Sequence, residues 1–242
     1  MAGHSHWAGI KHKKARVDAV RGRLFSKLSK RITVAAKSGG DPAFNLDLKY
    51  AIDEAKAANM PKDNIDRAVK KGTGELPGVT YESFAYEGYG PGGSGFILDI
   101  LTDNRNRTAA EIRKLFSNKG GNLAKEGAVS WSFEKKGLFL VTKSAAPEDR
   151  VMEVALEAGA EDMQVDDNGY QVVCDPSQFD AVKTALTEHK IRYESASVDL
   201  LAQNLVQLDP DTLHKAVRLY EELEEHEDVN NVYVNFEFPE EA

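Results

Sequence analysis

The chain has 242 residues, of which 41% are hydrophobic and 29% charged, which is enough apolar material for two or three folded domains and excludes a disordered chain. Its net charge of −8 is unevenly spread, because residues 1–40 hold ten Lys and Arg against Asp18 alone, a charge of +9 that leaves −17 on the other 202 residues. Cys174, the single cysteine, excludes an internal disulfide, and no apolar run approaches the roughly 18 residues of a membrane span or the core of a signal peptide, so a soluble, cytoplasmic protein is expected.

The chain opens on Gly3-His4-Ser5-His6-Trp7 and Lys11-His12-Lys13-Lys14, an arm in which one aromatic stands among cations. Such an arm suits nucleic acid: Trp7 would stack on a base or ribose while Lys11, Lys13 and Lys14 follow phosphates. A helix over residues 15–37 puts Val17, Val20, Leu24, Leu28 and Ile32 on one stripe, and Arg16, Arg23, Lys27, Lys30 and Lys37 on a second stripe a quarter turn or more away. Arg16, Arg23, Lys27 and Lys30 of this stripe would lie along phosphates, and Arg21 and Arg31 add to the same basic segment. The plain alternative is a solvated helix, and the charge imbalance of the whole chain argues against it. Ala2-Gly3-His4 resembles a copper or nickel chelate once Met1 is removed, but this is read as incidental, and no metal or cofactor is expected.

Lys37–Pro42 breaks the first helix, a second helix is expected over Asn45–Ala58 with Leu48, Ile52 and Ala55 on one side, and a third follows Pro61 with Ile65 and Val69 and ends at Gly72. Thr73–Gly78 reads as a linker. Strands are expected over Val79–Glu87 and Ser94–Leu101, joined by Gly88–Gly93. That turn matches G-x-G-x-x-G, but Pro91 and the strand pattern Phe96–Leu101 behind it rule out a dinucleotide site, which needs a helix there. Tyr86 and Tyr89 beside the turn offer stacking faces. A helix opened by the capping box Thr108–Glu111 then carries Ile112, Leu115 and Phe116, with a strand over Val129–Phe133 after it. Arg105 and Arg107 would lie in the loop before that helix, either as an anion site or paired with Asp99 or Asp103 to hold the turn.

Residues 135–203 spell strand, helix, strand, strand, helix, strand, with Asn168-Gly169 as a hairpin signal and Gly159 closing the first helix. This is the order of a ferredoxin-like sandwich. Its sheet is acidic and lacks the aromatic-basic pattern of RNA-binding modules, so a structural or protein-contact role is expected. Cys174 falls in a strand as an inert, buried thiol. Asp209-Pro210 then caps a helix bearing Leu213, Val217, Tyr220 and Leu223, and Val232, Val234 and Phe236 alternate in a last strand. This terminal pair cannot bury itself, and the ββαβ piece before residue 135 lacks an αβ partner, so the two are expected to join around an inserted domain. The fold class is therefore α+β: a basic helical domain over 1–77, an α/β domain from 78–134 plus 204–242, and the inserted ferredoxin-like domain over 135–203. Glu221, Glu222, Glu224, Glu225, Glu227 and Asp228 cluster at the end of the last helix. They read as solvated surface or, more sharply, as a docking site for the chain's own basic arm.

Three separated segments resemble a known family: Met1–Trp7 with Lys11–Lys14, Tyr86–Gly93, and Asp103-Asn104-Arg105-Asn106-Arg107-Thr108 are similar to signatures of the YebC/PmpR family. The resemblance implies probable transcriptional regulators that bind DNA. It also implies a helical first domain with two α/β domains, one inserted in the other. The same family includes a mitochondrial translational activator of a cytochrome oxidase subunit and bacterial members linked to the ribosome. Since no catalytic constellation is present, the expectation is a non-enzymatic, monomeric nucleic-acid-binding regulator. DNA is its first expected partner, and the ribosome or RNA the alternative.

Overall fold

The structure, a computed structural model, describes residues 21–166 and 169–239. The chain divides into two compact units: one runs to Val129 and includes Asp209–Val232, and the other comprises Ser130–Leu208 with the chain from Tyr233 onward. Each unit contains a four-stranded antiparallel sheet or most of one.

The first unit opens with α1 (Arg21–Ala35), α2 (Leu46–Ala57) and α3 (Lys62–Gly72). Leu28, Ile32 and Ala36 on α1 and the short turn after it are buried against Leu48, Ala51 and Ala55 of α2 and Ile65 and Ala68 of α3, with Met60 between them. Of the expected stripes, Leu28, Ile32, Leu48, Ala55 and Ile65 are buried here, while Leu24, Ile52 and Val69 pack against them only partly buried, and each stripe alone is too thin to hold a helix in water. The part of the expected first helix before Arg21 lies outside the described residues. Asn45 caps α2 by accepting from Leu48 N, and Pro61 stands just before α3, where its missing N–H costs nothing. Gly72 lets α3 lie directly on α1, since a Cβ there would come within 2.4 Å of the Thr33 carbonyl oxygen.

The sheet of this unit has the order β3-β1-β2-β8, from β1 (Glu82–Tyr89), β2 (Gly95–Thr102), β3 (Asn122–Leu123) and β8 (Val229–Val234). Between β1 and β2, Gly92 and Gly93 take positive φ (68° and 76°), so the glycine-rich turn leads into a strand and offers no helix N-terminus to a pyrophosphate. Two helices, α4 (Arg105–Asn118) and α7 (Pro210–Glu225), cover the sheet. Phe116 of α4 meets Phe96 edge-on at 5.7 Å, and Leu219, Tyr220 and Leu223 of α7 are buried. The buried Glu87 carboxylate accepts from Gly127 N and Val129 N at 2.7 Å each, which fixes the loop after β3.

Two expectations are corrected here. The fourth helix starts at Arg105, not at Thr108, because the Asn104 side chain caps it by accepting from Arg107 N at 3.1 Å. Arg105 and Arg107 therefore sit in a helical first turn, and Thr108 is freed for a buried role. The strand expected over Val129–Phe133 is instead a short 3-10 turn, Ser130–Ser132, leading into β4 (Phe133–Thr142).

In the second unit, β4, α5 (Glu148–Glu157), β5 (Ala160–Val165), β6 (Gly169–Cys174), α6 (Phe179–Glu188) and β7 (Ser195–Ala202) follow one another. The sheet order is β5-β6-β4-β7 and every pairing is antiparallel, which is the ferredoxin-like arrangement. Leu138, Phe139, Leu140 and Val141 in the middle of β4 are all buried, and Phe139 stacks on Phe179 of α6 at 4.8 Å. Burying side chains of this size stabilises by about 1.5–3 kcal/mol each. Gly159 takes φ +98° and ends α5 as expected, while Asn168 of the expected hairpin lies outside the described residues. Cys174 is buried, and burial pushes its thiol up to about 11, consistent with an inert core position.

Candidate nucleic-acid interface

The candidate residues fall in two places, the amino-terminal segment with α1 and the start of α4. Trp7, Lys11, Lys13, Lys14 and Arg16 lie outside the described residues. Arg21 begins α1, and its side chain too lies outside the description. Because Leu28 and Ile32 turn into the helical core, the other described cations of α1 are placed on the remaining faces, and each of them meets a partner from the protein itself.

Arg23, half exposed, lies 3.8 Å from the Glu225 carboxylate. Lys27 donates to the Glu224 carbonyl oxygen. Lys30 donates to the Glu227 carbonyl oxygen at 3.0 Å and to Asp228 Oδ1 at 2.8 Å. Arg31 pairs with Glu54 of α2. Three successive turns of α1 thus face the carboxyl end of α7, where unpaired carbonyls and the helix dipole favour cations. The acidic cluster is therefore more than solvated surface, since α1 supplies the positive charge that its dipole lacks.

Asp228 is the centre of this contact. It is 1% exposed and joins three segments of the chain. Its Oδ1 holds Lys30, and its Oδ2 accepts from Arg107 Nη2 at 2.7 Å and lies 2.8 and 3.1 Å from the Thr108 and Thr102 hydroxyls. Burial on its own would raise this carboxyl, but Lys30, Arg107 and Thr108 outweigh it and hold the group down at about 2. The Asp228 backbone is fixed as well, donating to His226 Nδ1 at 3.1 Å and accepting from Leu101 N at 2.9 Å. Because His226 Nδ1 accepts, the imidazole proton sits on Nε2, 3.0 Å from Glu111.

Glu111, His226 and Asp228 bring ligand-type atoms within 4.8 Å of one another. A metal does not suit them, because Lys30 and Arg107 already neutralise the one buried carboxylate.

At the α4 end, Arg107 is drawn to Asp228 and to Asp103 at 3.0 Å, and hydrogen bonding to Asp228 is the main reason its guanidinium is held above its ordinary value. Asp99 instead accepts from Asn231 at 3.2 Å. Arg105 is exposed and lies over the Phe84 ring at 4.3 Å, with Tyr86 edge-on to Phe84 at 5.0 Å. Tyr89 donates from its hydroxyl to the Ala128 carbonyl.

Sequence reasoning placed Asp228 among the surface acids and missed its part in orienting two of the candidate cations. The available signal was its position, directly before the apolar Val229 and apart from the glutamates of the helix.

Two family models match the chain, one described as the TACO1/YebC protein N-terminal domain over residues 5–75 and one as the TACO1/YebC second and third domain over residues 81–236. A protein of Halothermothrix orenii is 54% identical and aligns with 100% of this chain and 97% of its own. Another from Natranaerobius thermophilus is 51% identical, with 98% of this chain and 96% of its own aligned. Both carry the name probable transcriptional regulatory protein. The crystal structure of a conserved hypothetical protein from Aquifex aeolicus superposes with a TM-score of 0.87 at 46% identity, covering 98% of each chain.

Proposed function

The chain belongs to the TACO1/YebC family, and from that premise we propose that it is a non-enzymatic regulator of gene expression that binds DNA through its basic amino-terminal region. The observation that carries the reading is the charge partition, +9 on residues 1–40 against −17 on the rest. The regulator names of the two relatives agree with it. Lys27 and Lys30 already hold the end of α7, so the phosphates fall to Lys11, Lys13, Lys14, Arg16 and the half-exposed Arg23, with Arg21 and Arg31 beside them and Trp7 stacking. Arg105 is a further exposed contact, and Arg107 stands beside it in the first turn of α4, held by Asp103 and Asp228.

With about five phosphates neutralised, log K for duplex DNA falls with log salt at a slope of roughly −4 to −5. Anisotropy titrations of a labelled promoter duplex across a salt series test this directly, and a flat salt response would refute it. The working architecture is a basic domain over 1–77, an α/β domain from 78–134 with 204–242, and a domain inserted at 135–203. The protein acts as a cytoplasmic monomer, and among the described residues no helix is long and apolar enough to cross a membrane.

A second reading, a translation factor that uses the same arm on ribosomal RNA or mRNA, is favoured by one observation: a body with charge −17 is repelled by free DNA but can meet ribosomal protein or bound factors. Sucrose-gradient sedimentation of lysate separates the two. Co-migration with ribosomes that is lost at high salt supports translation, and a ribosome-free protein that shifts a promoter fragment supports transcription.

A further inference from the structure

The helical region has a second basic face that the first forty residues do not contain. On α3, Ile65, Ala68 and Gly72 turn inward against α1 and α2, whereas Arg67, Lys70 and Lys71 fall on the opposite side and are exposed. That face is held in place: Gly72 packs on the Thr33 backbone, Leu76 N and Thr73 Oγ1 both donate to the Lys70 carbonyl, and the Lys71 stem lies against Gly78.

The contrast with α1 gives this face its meaning. Every described cation of α1 whose side chain is placed has an anion or carbonyl from the protein within reach. The Arg67, Lys70 and Lys71 head groups make no ion pair or hydrogen bond with any described residue, although Asp63 and Asp66 lie one turn earlier on the same helix. Residues three and four apart on a helix are neighbours at about 5–6 Å, and like charges there repel one another. An external polyanion lying along the face would relieve that repulsion at all three positions together.

We propose that the Arg67–Lys70–Lys71 face of α3 is a second contact for the phosphate backbone of duplex DNA. It rests on the reading of the chain as a DNA-binding protein and extends the footprint from the amino-terminal arm across the helical region. The contact is to phosphates, so it adds affinity and orientation without reading base sequence.

The test uses the full-length chain and a fluorescein-labelled 25-base-pair duplex, with a single-stranded RNA of equal length as the second probe. Anisotropy titrations across a salt series compare wild type with Arg67→Gln/Lys70→Gln/Lys71→Gln and with Lys70→Arg/Lys71→Arg. The triple variant is expected to bind duplex DNA more weakly, with a slope of log K against log salt shallower by about 2.7, at 0.9 per phosphate contact, while the arginine variant binds as wild type. Circular dichroism melting checks that all variants fold, and the single variants, each expected to flatten the slope by about 0.9, replace the triple if it does not. If wild type binds the duplex and the triple variant keeps its affinity and slope, or loses affinity only for RNA, the α3 contact is wrong and the DNA-binding reading stands. If wild type binds neither probe, both fail.

Discussion

Helices α1 and α3 belong to the same small core and are both basic and amphipathic, yet they present their cations in opposite ways. Lys27 and Lys30 of α1 meet partners 197 and 198 positions away in sequence, while Arg67, Lys70 and Lys71 of α3 point to solvent. The difference shows that a count of Lys and Arg measures charge and not its availability. A cation that closes a helix end inside the fold contributes to architecture first.

Removing Asp228 breaks the α1 side of this comparison most severely. Asp228→Ala leaves Lys30, Arg107 and two threonine hydroxyls facing a gap, and a loss of about 3 kcal/mol is expected from urea denaturation, at the low end for a buried pair because Arg107 keeps access to water. A loss under about 1 kcal/mol would remove Asp228 from the centre of the account.

The same carboxylate sets an acid limb. Its folded value near 2 lies below the ordinary 3.8, so the unfolded chain binds its proton first, and the stability it confers is full above about pH 4 and lost as pH falls toward 2. That limb amounts to about 2 kcal/mol at 1.36 kcal/mol per unit, and Asp228→Asn should flatten it.

Next in size is Gly72→Ala, which drives a methyl into the Thr33 carbonyl and lifts α3 from α1. Overpacking of this kind costs about 1–3 kcal/mol, less the gain in helix propensity, and thermal melting would register it. Glutamine at Lys30 should lower the urea midpoint measurably, whereas glutamines at Arg67, Lys70 and Lys71 together should leave it unchanged. Equal effects on the two helices would erase the distinction between them.

The smallest expected effect belongs to Cys174. Buried and raised to about 11, its thiol should resist maleimide at pH 7 in the folded protein and react only on unfolding.

Most elements were legible because they rest on local rules. Leu28 and Ile32 repeat at helical spacing, Asn45 and Asp209 cap by accepting from a backbone N–H three residues on, and the βαββαβ order of the second unit follows from alternation, Gly159 and the periods of two short helices. The start of α4 was misread because two residues competed for one cap: Asn104 took it, and Thr108 turned inward to Asp228, a partner 120 positions away. For the same reason the α1–α7 contact could be suspected from charge but not placed. Ion pairs carry no periodicity, and the one local signal, the place of Asp228 directly before Val229, does not name its partners. The partition of α3 into an inner apolar and an outer basic side was available from its spacing, but Asp63 and Asp66 nearly mask it in a charge count.

The central claim, that the basic amino-terminal region grips DNA phosphates, is tested most directly by the salt dependence of duplex binding in a chain with Lys11, Lys13, Lys14, Arg16 and Arg23 all changed to Gln. Weaker binding is expected, with the slope losing the roughly 4.5 that these five positions contribute and keeping about −2.7 from the α3 face. Affinity and slope equal to those of the unaltered chain would contradict it.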